Sequence, residues 1–349
     1  MKPLLAQLLD GQPLDRDQAV DAFEQIMSGS ASAPQTAALL ALIQRRGATT
    51  DELVGAATVM RDKATKVAVP AGLTAMDIVG TGGDHAGTFN ISTATALVTA
   101  AAGRPQNLVV AKHGNRAVTS KSGSSQVLEA LGVTLTADAD TLTKCLDQAG
   151  ICFCFAPHHH PAMKHAGPVR AELGFRTIFN LVGPLTNPAG VRRILMGVWA
   201  TALCEPLAEV LARLGTDRAM VVNGQIPAKE DGHIDGFDEL STCGPTRVAH
   251  VDGETVTLDE LDPTTLGLPY AHPSTLRVES PDESATLIRA VFAGDETGPP
   301  RDIVLLNAAA ALLVGGRAAD LPEGLAQAAE ALDSGAAQTT LDTLAKLTA

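Results

Sequence analysis

Residues 76–131 hold two consecutive strand–loop–helix units, and no other stretch limits the possible fold so tightly. Asp77-Ile78-Val79 reads as a short β-branched strand. Gly80, Gly82 and Gly83 follow; without Cβ atoms the chain turns sharply and its N–H groups come close to a ligand. Thr88, Asn90, Ser92 and Thr93 lead into the alanine-rich run 94–102, expected as a helix with Ser92 or Thr93 at its N-cap. A helix start offers unpaired N–H groups and partial positive charge, which suits phosphate. A plain strand-to-helix turn also accounts for a single glycine loop. The loop is no nucleotide P-loop, since no Gly-Lys-Ser/Thr closes it. It is no dinucleotide fingerprint either, since His85 stands where the third glycine belongs.

Asp84 is the odd residue of this loop. A carboxylate repels phosphate unless it holds a metal ion or a sugar hydroxyl, so the loop points to a sugar phosphate with a divalent cation. The second unit repeats the theme. Residues 108–111 form a strand, and Lys112, His113, Asn115 and Arg116 follow around Gly114. Thr119, Ser120, Ser122 and Ser124 then enter a helix expected over 125–131. Two cations and four hydroxyls on one loop make a polyanion site, the alternative being a solvated basic loop.

Composition narrows the partner. The 349 residues carry a net charge of −13, which disfavours nucleic acid or an anionic membrane as the main partner. A locally basic loop in an acidic protein points to a small anionic substrate instead. Aromatic residues make up 3%, too few for a stacking platform for nucleic-acid strands. Hydrophobic residues at 45% and charged residues at 19% describe a globular chain of about two domains. The five cysteines lack zinc spacing, and Cys152 and Cys154 alternate along an apolar strand, so buried free thiols in a reducing cytoplasm are expected. Gln7 and Asp10 break the N-terminal apolar patch too early for a signal peptide, and no apolar run is long enough for a membrane span.

The first 65 residues read as helices. Asp15 caps one with Val20, Phe23 and Met27 on a face; a second, over 37–46, is apolar nearly all round, so two of its faces need cover. Thr49 and Glu52 form a capping box for a third. After a linker at 67–75, strands near 76–80, 107–112, 151–156, 194–199 and 218–223 alternate with helices. The expected fold class is α/β: a small N-terminal helical domain, then a larger domain with a mostly parallel central sheet flanked by helices. Ligands bind at the carboxyl ends of such strands, where both glycine loops lie. Later β-like stretches at 247–251 and 255–258 and helices at 284–292, 303–314 and 324–334 carry no visible chemistry. His158, His159, His160 and His165 lack the helical spacing and partner ligands of a zinc site.

The strings GTGGD (80–84), NIST (90–93) and KHGNRAVTSKSGS (112–124) together resemble the anthranilate phosphoribosyltransferase family of tryptophan biosynthesis. The likeness continues through 155–189 (FAPHHHPAMKHAGPVRAELGFRTIFNLVGPLTNPA), 236–248 (GFDELSTCGPTRV) and 306–316 (LNAAAALLVGG), in order and over nearly the whole chain. It implies transfer of a phosphoribosyl group from 5-phosphoribosyl 1-diphosphate to the amine of anthranilate, the second step from chorismate. It implies a helical domain over 1–70 rejoined by 161–188, with 71–160 and 189–349 as the α/β domain, and a homodimer through the helical domain.

The implied donor site comprises Gly80, Gly83, Asp84, Thr88, Asn90, Ile91, Ser92, Thr93, Lys112, His113, Gly114, Asn115, Arg116, Ala117, Val118, Thr119, Ser120 and Ser124. Gly80, Asn115 and Arg170 would place anthranilate, and Ser92, Asp238 and Glu239 would hold Mg²⁺, two ions per site. Taken alone, Arg170 reads as a surface ion pair and Asp238-Glu239 as solvated charge; the resemblance gives them roles. No general base is implied, because the aniline nitrogen is already neutral near pH 7. Two departures stand out: Asn223, where the family often has histidine, and a long loop over 225–235. The rival readings are a pyrimidine nucleoside phosphorylase-like enzyme and a non-catalytic nucleic-acid-binding relative.

Overall fold

The computed structural model describes residues 1–116, 122–135, 137–226 and 236–349. Four helices open the chain: α1 (Lys2–Leu9), α2 (Arg16–Met27), α3 (Ala33–Arg46) and α4 (Thr50–Asp62). Three of them begin with reciprocal capping boxes, Asp15 with Gln18, Ser32 with Gln35 and Thr49 with Glu52. Glu52 does more than cap. It is fully buried, accepts the Leu14 and Thr49 N–H groups at 3.0 Å each, and meets the Arg46 guanidinium. One carboxylate thus ties the loop before α2 and the end of α3 to the start of α4.

The remainder alternates strands and helices. In order they are β1 (Thr74–Gly80), α5 (Ile91–Gly103), β2 (Leu108–Gly114), α6 (Ser124–Ala130), α7 (Ala139–Gln148) and β3 (Ile151–Phe155). The short helices α8 (Ala156–His159), α9 (Gly167–Leu173) and α10 (Ile178–Val182) follow, and α9 and α10 pack back against α3 and α4. Then come β4 (Arg193–Gly197), α11 (Cys204–Arg213), β5 (Arg218–Gln225), β6 (Gly236–Phe237), β7 (Thr246–Asp252) and β8 (Thr255–Leu261). Helices α12 (Pro281–Ala293), α13 (Pro299–Val314), α14 (Leu321–Asp333) and α15 (Ala336–Thr348) close the chain.

The strand order is β3-β2-β1-β4-β5-β7-β8, with β6 paired to β5. The first five strands are parallel, and β6, β7 and β8 add on antiparallel. The chain leaves β1 toward β2 and later returns on its other side as β4, so β1 is the switch point where a crevice opens at the carboxyl ends. Helix α5 is apolar all round because it is enclosed by β2, α13, α14 and α15. All five cysteines are buried free thiols, with the Cys152 and Cys154 sulfurs 3.8 Å apart.

Two expectations need correction. The N-cap of α5 is Asn90, not Ser92 or Thr93: its side chain accepts the Thr93 N–H and the helix starts at Ile91. Helix α6 begins one residue earlier than expected, at Ser124.

Replacing Glu52 with alanine leaves two buried N–H groups and one guanidinium without their partner. The expected loss is about 3 kcal/mol of unfolding free energy, measured by urea denaturation.

Candidate active site

The first glycine loop leaves β1 and is closed from above by the acidic pair. Asp238 Oδ2 accepts the Gly82 N–H at 2.7 Å, and Asp84 Oδ2 accepts the Asp238 N–H at 3.4 Å. This crossing is possible because three neighbouring strands carry glycine at or next to their ends, Gly80, Gly197 and Gly224. A Cβ on Gly197 would fall on the Asp238 carbonyl, one on Gly80 on the Asp238 carboxylate, and one on Gly224 would lie 2.6 Å from the Glu239 carbonyl. Gly80 and Gly197 are register partners, so the bare backbone forms a continuous shelf.

Asn90 joins the two loops. Its Oδ1 caps α5 through the Thr93 N–H at 3.0 Å and accepts the Ser92 and Ser124 hydroxyls at 3.3 and 3.4 Å. Its Nδ2 donates to the Ser122 carbonyl at 2.7 Å. One amide side chain therefore holds both helix entrances side by side. Lys112, almost wholly buried, reaches back from β2 and donates to the Ile78 carbonyl at 2.8 Å and to Ser92 Oγ at 3.1 Å.

Charges of both signs are buried here. Burial, the Asp84 charge and a hydrogen bond with Asp84 push the Asp238 carboxyl up to about 8, opposed by the Gly82 N–H. Burial and the neighbouring Asp238 charge push Glu239 well above the carboxylate range, opposed by Lys112 and by a hydrogen bond from the Ser92 N–H. Burial lowers Lys112, while Asp77, Glu239 and Asp238 raise it. Asp77 is fully buried and held at about 6 by desolvation, against hydrogen bonds from Asn187 and His113 and the Lys112 charge. Burial also keeps His113 and His160 neutral, His160 at about 4, and their Nε2 atoms lie 3.2 Å apart.

All of these titratable groups except Asp77 border one cavity of about 650 Å³. Gly80, Gly83, Asp84, Thr88, Asn90, Ile91, Ser92, Lys112, His113, Gly114, Asn115, Arg116, Ser124, Arg170, Asp238 and Glu239 all line it. Thr93 does not: in this structure its N–H serves the cap and its side chain is buried in the core. Ala117, Val118, Thr119 and Ser120 lie outside the described residues, as does most of the 225–235 loop. Asn223 is buried, donating to the Val198 and Phe237 carbonyls and accepting from Thr201, so it supports the end of β5.

Arg170 stands on α9 at the far wall, 5.3 Å over the Phe179 ring, and no carboxylate among the described residues pairs with it. Its placement departs from a surface ion pair. Sequence reasoning missed Arg176. Its guanidinium donates to the Gly83 carbonyl, stacks 4.5 Å over Trp199 and borders the cavity. A Cβ on Gly83 would sit 2.9 Å from that guanidinium, a second reason for glycine there besides its φ of +80°. His160, just before the returning segment, and Asn180 and Pro184 within it also line the cavity.

A helical unit beside a parallel sheet, with paired helix entrances and buried carboxylates at the crevice, is matched by family models of two-domain glycosyl transferases. A family model described as glycosyl transferase family, a/b domain, matches residues 72–338, and one described as the helical bundle domain matches residues 2–64. Proteins named anthranilate phosphoribosyltransferase from Methylobacterium nodulans and Rhodospirillum rubrum are 50% and 53% identical, each over 98% of this chain and 97% and 94% of their own length. The crystal structure of the Thermus thermophilus anthranilate phosphoribosyltransferase superposes with a TM-score of 0.89 at 40% identity, over 99% of both chains. The Saccharomyces cerevisiae enzyme in complex with PRPP and Mg has a TM-score of 0.87 at 26% identity, over 99% of this chain and 97% of its own. The chain belongs to the anthranilate phosphoribosyltransferase family. These relatives favour the transferase reading over the phosphorylase and nucleic-acid-binding ones.

The strained Asp238 gives a pH signature. Its folded value of about 8 lies above the unfolded one, so the folded chain holds a proton that the unfolded chain releases. Stability therefore falls as pH rises from about 4 to the folded value. Asp238→Asn is expected to raise the melting temperature of metal-free protein at alkaline pH by about 2–4 °C. The same variant flattens its pH dependence, as scanning calorimetry across the neutral range would record.

Proposed function

We propose that this chain transfers the 5-phosphoribosyl group from 5-phosphoribosyl 1-diphosphate to the amine of anthranilate, giving N-(5-phosphoribosyl)anthranilate and diphosphate. This is the second step of tryptophan biosynthesis from chorismate. The observation that carries the reading is the Asn90 bridge, which sets two anion-binding helix entrances against a buried acidic pair in one cavity.

The loops at 80–93 and 112–124 take the donor. Its phosphates lie at the start of α5, where the helix dipole favours negative charge, and beside Lys112 and Arg116. Breaking the C1–O bond leaves positive charge on the ribose and negative charge on the departing diphosphate. Asn115, Gly80 and Arg170 place anthranilate, with the Arg170 guanidinium on its carboxylate. The neutral amine needs no strong base, so alignment of the two substrates supplies much of the rate.

The chemistry of Ser92, Asp84, Asp238 and Glu239 suits Mg²⁺. Desolvated carboxylates crowded enough to keep protons near neutral pH call for a divalent cation. Among the described residues no three His, Cys, Asp or Glu side chains form a ready-made cage. Mg²⁺ keeps waters and substrate phosphates in its shell, so an incomplete protein set suits two ions taken up with the donor. When bound, Mg²⁺ supplies positive charge to the diphosphate oxygens.

The helical domain, 1–70 with the returning 161–188, is the dimer surface in this reading. On one side α3 leaves Ala37, Ala38, Ala41 and Leu42 half-covered, and Leu9 on the adjoining α1 is 74% exposed. A second copy would cover both faces. Among the described residues no helix is long and apolar enough to cross a membrane. The five free thiols suit a reducing cytoplasm.

Loss of anthranilate fluorescence with 5-phosphoribosyl 1-diphosphate and Mg²⁺ is the direct test. Turnover is expected in the parent and a fall of at least about 100-fold in Asp238→Asn/Glu239→Gln; an inactive parent overturns the activity, and an unchanged double variant overturns the metal role. Sedimentation should show a dimer that Leu9→Lys/Leu42→Lys converts to monomer, and a monomeric parent would rule the dimer out.

A further inference from the structure

At the carboxyl end of the sheet β1 and β2 part company. Their ladder covers Thr74–Met76 against Leu108–Val110. From Asp77 onward β1 pairs with β4, and from Val110 onward β2 pairs with β3. Parting opens the crevice but leaves backbone groups facing a gap. Thr74 donates to Asn107 across this ladder, so by alternation Ile78 also faces β2. Val110 donates to Gly150 on the other side, so Ala111 and His113 face β1.

Three of the stranded groups are met by side chains. The His113 N–H goes to Asp77 Oδ1 at 3.0 Å, and the Ala111 carbonyl takes Asn187 Nδ2 at 2.7 Å. The Ile78 carbonyl takes Lys112 Nζ at 2.8 Å. Asp77 Oδ2 and Asn187 Nδ2 then bond each other at 2.7 Å, and Asn187 Oδ1 accepts the Ala189 N–H at 2.8 Å. Asp77 is fully buried and Asn187 nearly so, and neither lines the cavity.

We propose that Asp77 and Asn187 form a wedge that takes the place of the missing ladder and sets the position of the Lys112–Asn115 segment over the donor site. They are positioning residues, acting through the backbone they hold. The wedge has a second consequence. Asp77 is a buried anion next to Lys112, so it compensates that ammonium from below while the substrate side changes. Asn187 lies in the turn after α10, so the returning segment is fastened to β1 and β2 at the point where they separate.

The kinetic readout rests on the transferase reading; the amide readout does not. The variants are Asp77→Asn, which sets two amide donors face to face, Asn187→Ala, and the exchange Asp77→Asn/Asn187→Asp, which restores one hydrogen bond and the buried charge. Val109→Ala, in the same strand but away from the gap, is the stability control. The expected result is a kcat at least ten-fold below the parent in Asp77→Asn and Asn187→Ala, with partial recovery in the exchange. Val109→Ala, destabilised to a similar melting temperature, stays within two-fold of the parent. By hydrogen exchange the His113 amide should be protected in the parent and open at least ten-fold faster in Asn187→Ala. Equal kcat losses in Val109→Ala and Asn187→Ala at matched stability would overturn the proposal. So would an unprotected His113 amide in the parent, a measurement that stands even if the parent shows no transferase activity or Asp77→Asn does not fold.

Discussion

An open parallel sheet holds its ligand where two neighbouring strands separate at their carboxyl ends, and separation strands hydrogen-bonding groups in a dry interior. Leaving one such group unpaired costs about 1–3 kcal/mol, comparable to a large share of a domain's net stability. In this protein the gap between β1 and β2 is filled by Asp77, Asn187 and Lys112. The rest of the site is built outward from that filling. Lys112 reaches Ser92 from it, Ser92 meets Asn90, and Asn90 brings the second helix entrance alongside the first.

The same region stores electrostatic strain. Asp238 and Glu239 are carried onto the strand ends by a segment that lies directly on Gly197 and Gly224. Burial raises both of their pKa values, the Asp84 charge adds to each, and Asp238 raises Glu239 further. Nothing in the fold alone favours three carboxylates so near together. In the proposed function a cation and a polyanion arrive here as a pair, the acidic groups meeting the cation and the helix entrances meeting the phosphates. A fold that neutralised these groups internally would be more stable and would bind the pair less well.

What the sequence makes legible here is local chemistry. Gly80 to Asp84 and Lys112 to Arg116 are readable because their residue types crowd into short loops between strand-like and helix-like runs. The alternation of strands and helices likewise announces the parallel sheet. Asn90 is harder to place: Asn, Ser and Thr are all good N-caps, and four of them stand in a row of six residues, 88–93. Only the register of α5 decides among them. Arg176, Gly197 and Asn187 are illegible for another reason. Each acts on a partner about 40 to 110 residues away, on Gly83, Asp238 and Asp77, and no local pattern encodes that distance. The one available signal was Asp77, a carboxylate within an apolar strand, which is rarely buried without a dedicated partner.

The stretch between β3 and β4, the returning segment included, ties the two parts of the molecule into one site. It packs on α3 and α4 through α9 and α10, yet its side chains touch the sheet at three separate depths. Asn187 works beneath the cavity at the strand split, His160 meets His113 at the wall, and Arg176 clasps Gly83 at the rim while lying on Trp199. Arg170, stacked on Phe179 of the same segment, stands on the framework that these three attachments fix. The acceptor's carboxylate and the donor's phosphates would then be referenced to one continuous framework. A reaction that relies on alignment rather than on a general base needs that common frame more than it needs any single catalytic group.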